Sequence, residues 1–273
     1  MARWRLLTLL AVILPLAGSA AQETIRIGGT GIGTLLVQRI LESSPKARPN
    51  ALAMAVTPPL GSTGGLRALA AGRIQIAVVS IPSAYADNAI NSDNSRSFPW
   101  ARTPFIFTGQ SIASGAALTR SQLADIYAGR VAQWPGGEPV RLVIRTERDS
   151  DTRLLRAMSP DIDAAVTLSH QRIGMPFAEN DIDNQKLLEQ TPGSFGTIGL
   201  GQLLLMDSPL KPATLDGIAP TPANLRAGTY RFEKPLYLVV AKAPSAATQE
   251  IVRYLRSPEV LKMIERFGFV PLP

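Results

Sequence analysis

Hydroxyl and glycine residues cluster in three loops that each lead from an apolar run into a helical pattern. These loops are Thr30–Gly33, Gly61–Gly65 and Arg148–Thr152. The first backbone N–H groups of a helix point out of its end and attract anions, and Ser and Thr hydroxyls add further donors. The same residue types also serve as ordinary helix caps. The chemistry favoured by these loops is therefore anion binding, provided that several of them converge on one point.

Composition disfavours most other chemistries. The 273 residues include one histidine and no cysteine, which excludes multi-histidine metal sites, cysteine-ligated metals and thiol nucleophiles. Gly31 and Gly33 are followed by Leu36, where a dinucleotide-binding fingerprint requires a third glycine. We therefore predict a protein that is not an enzyme, with no catalytic residue, no metal site and no cofactor.

Three other groups of residues have structural interpretations. His170 could act as a base with Ser150 and Asp149, but no nucleophile turn accompanies it, so we predict a surface or capping role. The acidic residues of the second half lack EF-hand spacing and are predicted to lie on solvated faces. They are Asp161, Asp163, Glu179, Asp181 and Asp183. The aromatic residues predicted to pack in the interior are Trp100, Tyr127 and Trp134.

Residues 1–21 have the pattern of a secretory signal peptide. Two arginines precede an apolar stretch from Leu6 to Leu16, and small residues lead to a predicted cleavage after Ala21. The stretch is too short for a transmembrane helix, which needs about 20 apolar residues. Ser19 stands where a lipoprotein signal has its acylated cysteine. The sequence thus predicts export to the periplasm without a lipid anchor or membrane insertion.

Short β-branched runs alternate with helical periodicity from Thr24 onward, which predicts an α/β fold. A short helix is expected to begin near Leu66 and end at Gly72, and a polar segment, Asp87–Ser97, interrupts the rhythm before a boundary near Thr103. The predicted strands are Thr24–Ile27, Ala51–Val56, Ile74–Ser80, Thr103–Thr108, Val140–Ile144, Phe195–Leu200 and Leu236–Val240. Thr119 with Gln122 forms a capping box, Thr152–Met158 begins a helix, and Ser257 with Pro258 begins another.

Several segments, taken in order, resemble the phosphate-binding proteins of bacterial ABC transporters. The most specific is Gly61–Ala77, which resembles that family's second ligand loop with its helix and strand. The others are Leu123–Val131 with Trp134, Arg145–Thr152, Pro192–Gly196 and Gly268–Pro273. Together they span almost the whole mature chain.

The resemblance implies a type II periplasmic binding protein fold with two lobes, each a mixed sheet flanked by helices, joined by hinge strands. Lobe 1 would comprise residues 22–103 and 225–273, and lobe 2 residues 104–224. A ligand would be enclosed between them by hinge closure. The residues implied to bind it are Thr30, Gly31, Ser62, Thr63, Ser80, Arg145, Ser150 and Thr152. For Arg145, a structural salt bridge is the alternative to ligand contact.

The chain departs from the family pattern in the last loop. Asp151 replaces the glycine between the serine and the threonine, Asp149 precedes Ser150, and the spacing from Arg145 is one residue longer. These carboxylates would repel an anion unless they point away from it or pair with Arg148 or Arg153. The family also carries an aspartate near the strand end that corresponds to Ser80, and none is found there.

The formal net charge of +7 is unevenly distributed. The proposed lobe 1 has sixteen basic and eight acidic residues, and lobe 2 has ten basic and thirteen acidic. Because the basic excess is spread over a whole lobe rather than along a stripe, it does not favour nucleic acid. The expected function is enclosure of a small oxyanion, phosphate foremost, by a monomer that delivers it to an ABC permease or membrane sensor. The alternative is an accessory or sensory module of the same fold that binds another oxyanion, a larger polar ligand or a protein.

Overall fold

The computed structural model describes residues 23–43, 53–81 and 94–272. The predicted signal peptide lies outside the described residues, as do the start of the second predicted strand and most of the polar segment. No helix among the described residues is long and apolar enough to cross a membrane.

Strands and helices alternate along most of the chain. The strands are β1 Thr24–Gly29, β2 Ala53–Val56, β3 Ile76–Val79, β4 Ser95–Thr108, β5 Ala117–Leu118, β6 Arg141–Leu142, β7 Ile144–Arg145, β8 Phe177–Ala178, β9 Ser194–Gly199, β10 Thr214–Leu215, β11 Glu233–Ala241 and β12 Val270–Pro271. The helices are α1 Gly31–Ser43, α2 Gly61–Ala70, α3 Arg120–Tyr127, α4 Ser150–Arg156, α5 Pro160–His170, α6 Asp181–Gln190, α7 Leu200–Leu205, α8 Pro222–Arg226, α9 Ala246–Leu255 and α10 Pro258–Arg266.

One mixed sheet runs through the molecule in the order β2-β1-β3-β11-β4-β9-β6, and β12 pairs with β4. β1 is parallel to β2 and β3, while β11 is antiparallel to β3 and β4. β4 then pairs antiparallel with β9, which is parallel to β6. Two small parallel pairs, β5 with β10 and β7 with β8, lie outside this sheet.

The described residues form four hydrophobic clusters, and the two largest are the cores of two regions along the sheet. The first core includes Ile25, Leu36, Trp100, Leu238 and Phe269. The second core includes Phe105, Leu123, Tyr127, Leu142 and Phe195. Burial of each large apolar side chain contributes roughly 1.5–3 kcal/mol, so each region has a substantial core of its own. The long strand β4 carries residues of both cores and connects the two regions.

The aromatic residues pack as predicted. Trp100 is fully buried and donates its indole N–H to the Leu255 carbonyl oxygen. Tyr127 is buried in the second core, and Trp134 packs edge-on against Phe195. The capping box of Thr119 with Gln122 and the cap at Ser257 are both confirmed.

The loop-to-helix transitions begin earlier than predicted. α2 starts at Gly61, so the glycine-rich run is the first turn of the helix rather than a loop that precedes Leu66. Gly61 has φ +68°, a conformation that L residues rarely adopt. α4 likewise starts at Ser150, because the Asp149 carboxylate caps it by accepting from the Asp151 N–H. The predicted strand Val140–Ile144 divides into β6 and β7, which pair with different partners.

Candidate functional site

A buried aspartate connects the two core regions. The Asp181 carboxylate accepts hydrogen bonds from the Thr30 hydroxyl at 2.5 Å and from the Ile32 backbone N–H at 2.9 Å. It also accepts from the Arg145 guanidinium at 3.2 Å and from the Lys234 ammonium at 2.8 Å. Oriented hydroxyl, backbone amide, guanidinium and ammonium donors are those that bind a free oxyanion. We call this arrangement the inner seat.

The chain folds so that both sides of the inner seat are fixed. On one side, α1 follows β1 directly, and its first turn presents the Thr30 hydroxyl and the Ile32 N–H. On the other side, Asp181 is the first residue of α6, and the Asn180 side chain caps that helix. The Gln202 amide donates to the Asp181 carbonyl oxygen at 2.7 Å. Backbone and side chain of Asp181 are thus both held.

Gly31 has no side chain, and the space that one would fill is occupied by the side chain of Asp181. A Cβ atom at Gly31 would lie 2.9 Å from the Asp181 Cβ and 3.3 Å from its Oδ2. Real Cβ contacts are not that short, so a side chain at this position would displace the carboxylate. Gly31 was predicted to contact a ligand, and in the structure it lies against this internal carboxylate.

Arg145 is buried among three acidic side chains. Its guanidinium donates to Asp149 at 2.6 Å and to Asp181 at 3.2 Å, and it lies 3.9 Å from the Asp151 carboxylate. Burial lowers the pKa of Arg145, but the carboxylates outweigh this effect and raise its pKa above the ordinary value. In this structure Arg145 therefore forms structural salt bridges, which was the alternative to ligand contact.

Lys234 is the second buried cation. It lies in β11 with its side chain fully buried, and its ammonium is 2.6 Å from the Asp151 carboxylate and 2.8 Å from that of Asp181. Burial lowers the pKa of Lys234, but the two carboxylates raise it above its ordinary value. An isolated buried ammonium would be too costly to keep charged, so Lys234 and the aspartates depend on one another.

The two buried aspartates differ in how strongly the surrounding donors and charges stabilise their ionised forms. Burial raises the pKa of Asp181, but Lys234, Arg145 and the Thr30 hydroxyl outweigh it and hold this pKa well below its usual range. Burial raises the pKa of Asp151 to about 6, although the Lys234 ammonium acts in the opposite direction. Among the described residues neither carboxylate oxygen of Asp151 has a hydrogen bond of good geometry, and its close partner is the Lys234 ammonium, 2.6 Å from Oδ1. Asp151 is therefore the carboxylate that takes up a proton first on acidification.

The loop carboxylates pair with interior cations. Pairing with Arg148 or Arg153 was one way in which the charges of Asp149 and Asp151 could be offset, and the two carboxylates pair with Arg145 and Lys234 instead. The reason is geometric, because Arg148 lies on the exposed side of the loop whereas Arg145 and Lys234 are interior. The repulsion expected from the two carboxylates is thus offset inside the protein.

His170 holds the backbone beneath Arg145. Its Nε2 lies 2.8 Å from the Arg145 carbonyl oxygen, and its Nδ1 lies 2.9 Å from that of Val166. These contacts fit a capping role at the end of α5 and bring the imidazole to no hydroxyl nucleophile.

A second site opens beside the inner seat, and we call it the outer pocket. Its volume is about 290 Å³, and it lies between the first turn of α2 and the loop before α4. Its lining residues are Leu60, Gly61, Ser62, Thr63, Gly64, Arg67, Thr146, Arg148, Asp149, Ser150 and Glu179. The two regions therefore both contribute to it, as a ligand between two lobes requires.

The helix end in the outer pocket is not capped by any side chain that the structure describes. The cap position of α2 is Leu60, which has no capping group. The Ser62 hydroxyl donates to the Ser80 carbonyl oxygen and accepts from the Ser80 N–H, so it joins α2 to the end of β3. Arg67 and Arg148 are exposed, and neither forms an ion pair with any residue that the structure describes.

The predicted binding residues thus fall into separate groups. Thr30, Gly31 and Arg145 surround the inner seat, whereas Ser62, Thr63 and Ser150 line the outer pocket. Ser80 is fully buried, and its own hydroxyl has no hydrogen-bond partner among the described residues. Thr152 is buried behind Arg145 and lines a different, very small cavity.

Two residues of the inner seat were not predicted from the sequence. Asp181 was assigned to a solvated face, and this was wrong, because only 2% of its surface is exposed. Asp161, Asp163 and Glu179 are exposed as predicted. Lys234 lies two residues before the predicted strand Leu236–Val240, and a charge this close to a buried strand was the one signal available.

A larger cavity of about 920 Å³ lies elsewhere, lined by basic residues such as Arg96, Lys242, Arg253 and Arg256. All its lining residues belong to segments 96–98 and 240–258, which contribute to the first core region only. It therefore cannot couple a ligand to the relative position of the two regions.

Comparison with known proteins decides the family. Residues 15–259 match the family described as the PBP superfamily domain. The chain belongs to the PBP superfamily. None of the curated proteins matches it. The α/β fold with two regions joined by shared strands, together with this match, confirms the predicted type II periplasmic binding protein fold.

Solved PBP structures share this fold at low sequence identity. A candidate phosphate ABC transporter substrate-binding protein from Clostridium perfringens, solved with phosphate, is 15% identical with a TM-score of 0.74, over 92% of this chain and 100% of that one. An ABC-type phosphate transport receptor from Vibrio cholerae is 20% identical with a TM-score of 0.63, over 91% and 100%. A phosphate-binding protein from Stenotrophomonas maltophilia is 15% identical with a TM-score of 0.64, over 92% and 91%.

Proposed function

We propose that this chain is an exported solute-binding protein that takes a small oxyanion into the outer pocket, with phosphate as the first candidate. The resident ligand would pass to an ABC permease or be read by a membrane sensor. Phosphate is favoured because the structural neighbours include phosphate-binding proteins. The predicted division into residues 22–103 with 225–273 and residues 104–224 places the pocket between the lobes.

One observation carries the proposal: the same pocket is lined by two arginines that form no ion pair with a described residue and by the start of α2, which no described side chain caps. Arginine binds oxyanions through paired N–H groups, and the helix end adds backbone donors. The Asp149 carboxylate in the same lining is already bound by Arg145 and by the Asp151 N–H, so its charge is offset. The volume, about 290 Å³, lies at the lower end of the roughly 300–1,000 Å³ typical of small-molecule pockets.

Calorimetric titration of the dialysed mature protein with phosphate, sulfate and a neutral sugar tests this proposal. We expect phosphate to bind with a dissociation constant well below about 1 mM, which corresponds to about 4 kcal/mol. Phosphate binding should weaken in Arg67→Ala and Arg148→Ala and stay unchanged in Arg130→Ala, whose guanidinium pairs with Asp125 away from the pocket. Absence of binding by either oxyanion contradicts the proposal.

The second candidate is the accessory or sensory module of the same fold, which would work without a free oxyanion. The inner seat favours it, because the donors around Asp181 already have an anion. A protein of this kind would show no oxyanion binding in the titration, and its conformation would be the same in solutions of different anions.

A further inference from the structure

The inner seat has the composition of a ligand site, yet its anion belongs to the chain. Its donors are the Thr30 hydroxyl, the Ile32 N–H, Arg145 and Lys234. Thr30 and Arg145 are residues that the sequence resemblance assigned to ligand binding. The acceptor is the carboxylate of Asp181, which starts a helix on the opposite side of the cleft from α1.

We propose that Asp181 is a tethered anion that fills the deep oxyanion position of the cleft and holds the two regions together without a ligand. Hinge closure in this chain would then be driven by an attached carboxylate instead of a free anion. The inference does not depend on whether the outer pocket binds phosphate, because the two sites use different donors.

The packing around Asp181 distinguishes this role from an ordinary first-turn aspartate. An acidic residue in the first turn commonly interacts with its own helix end, but here Asn180 accepts from the Ile182 and Asp183 N–H groups. The Asp181 carboxylate is directed to α1 instead, and it accepts from the Ile32 N–H, which has no acceptor within α1. Gly31 supplies the space for it. The Asp181 carboxylate therefore has the kinds of hydrogen-bond and charge partners that a bound oxyanion would have.

The tethered anion leaves a latent site when it is removed. In Asp181→Ala, the deleted atoms are those of a carboxylate, and a formate ion has the same shape and charge. Arg145 and Lys234 would remain buried with Asp149 and Asp151, so the donors stay in place. In Asp181→Asn, the amide keeps the volume and loses the charge, which makes it the matched control.

Thermal unfolding in sodium formate, compared with sodium chloride at equal ionic strength, tests the proposal. A ligand that binds only the folded state raises its unfolding midpoint. We expect formate to raise the midpoint of Asp181→Ala by several degrees and to have no specific effect on Asp181→Asn or the wild type. Phosphate can also be used as the probe. If it raises the unfolding midpoint of Asp181→Ala, and still does so when Arg67→Ala is added, the result would support the inference equally. Equal effects of formate and phosphate on all three proteins overturn it.

A measurement on the wild type decides the matter if Asp181→Ala does not fold. Small-angle scattering of the dialysed protein should give the same radius of gyration with and without phosphate, because Asp181 already closes the cleft. A smaller radius on addition of phosphate would show that the unliganded cleft is open, and it would overturn the inference. Phosphate binding without a change in radius leaves the proposed function intact and supports the tethered anion.

Discussion

Two helix ends in this molecule have similar sequences and opposite environments. α1 follows β1 through Thr30, and α2 follows β2 through a loop that ends at Leu60. The start of α1 is buried and donates to the Asp181 carboxylate, while the start of α2 opens into a pocket with two arginines that form no ion pair with any described residue. Glycine and hydroxyl residues at a helix start thus define an anion site without specifying whether the anion is internal or external. The residue that makes the anion internal at α1 is Asp181, which lies roughly 150 positions from Thr30 in the chain.

The largest effect is expected from removing the internal anion. Asp181→Asn leaves Arg145 and Lys234 with fewer buried partners, and such losses cost about 3–5 kcal/mol of unfolding free energy. Because the pKa of Asp181 is lowered in the folded state, its stabilisation is present above its ordinary pKa and is lost as pH falls below about 4. Chemical denaturation at pH 7 and pH 3.5 measures this effect. Asp161→Asn, at an exposed first-turn position of α5, is the control and should change stability little.

Asp151→Asn should act in the opposite direction. Because burial raises the pKa of Asp151 to about 6, the folded state binds a proton more readily than the unfolded state. Stability from this group therefore falls as pH rises from about 4 to about 6. Asp151→Asn should abolish this fall, but it also removes the carboxylate that lies 2.6 Å from the buried Lys234 ammonium, so the expected result is a stability that rises relative to the wild type between pH 4 and pH 6. A variant whose stability still falls with the wild-type slope between pH 4 and pH 6 would contradict this assignment.

Gly31→Ala should loosen the inner seat by displacing Asp181. The added Cβ meets the Asp181 Cβ at 2.9 Å, and overpacking of this kind costs about 1–3 kcal/mol. In the background of Asp181→Gly, which removes the Asp181 Cβ as well as the carboxylate, most of that cost should disappear, so the two substitutions should be clearly non-additive. Urea unfolding of the two single variants and the double variant measures the coupling. Additive effects would mean that Gly31 is constrained by something other than the carboxylate.

The smallest effect on stability is expected in the outer pocket. Arg67→Ala and Arg148→Ala remove exposed side chains without ion-pair partners in the described part of the chain, so unfolding free energy should change by less than about 0.5 kcal/mol. Phosphate affinity should nevertheless fall about tenfold in each, a difference of about 1.4 kcal/mol. Titration together with denaturation separates the two quantities. A large loss of stability without a loss of affinity would make these arginines structural.

Much of the fold could be predicted because it depends on local patterns. β-branched runs, caps such as Thr119 and Ser257, and the ordered motifs near Gly61 are all readable along the chain. The start of α2 was misplaced because glycines were read as loop residues. A glycine run can also form a helical turn when the turn is held elsewhere, here by Ser62 bound to the backbone of Ser80.

The candidate site could be predicted only in part. Thr30, Gly31 and Arg145 were predicted to bind an anion, and they lie around the Asp181 carboxylate, because donors follow helix ends and loops. Asp181 was not recognised, since an aspartate in the first turn of a polar helix is usually solvated. Its burial follows from Gln202, Lys234 and Thr30, which are distant in sequence, and no local pattern records such contacts.

Amide hydrogen exchange by NMR on the dialysed, anion-free wild type tests the tethered anion most directly. The Ile32 N–H should be strongly protected, because it donates to the Asp181 carboxylate. The Thr63 N–H, in the exposed first turn of α2, should exchange rapidly until phosphate is added. Rapid exchange of Ile32 in the absence of added anions, with protection only after phosphate is supplied, would show that the inner seat takes a free ligand and would contradict the account.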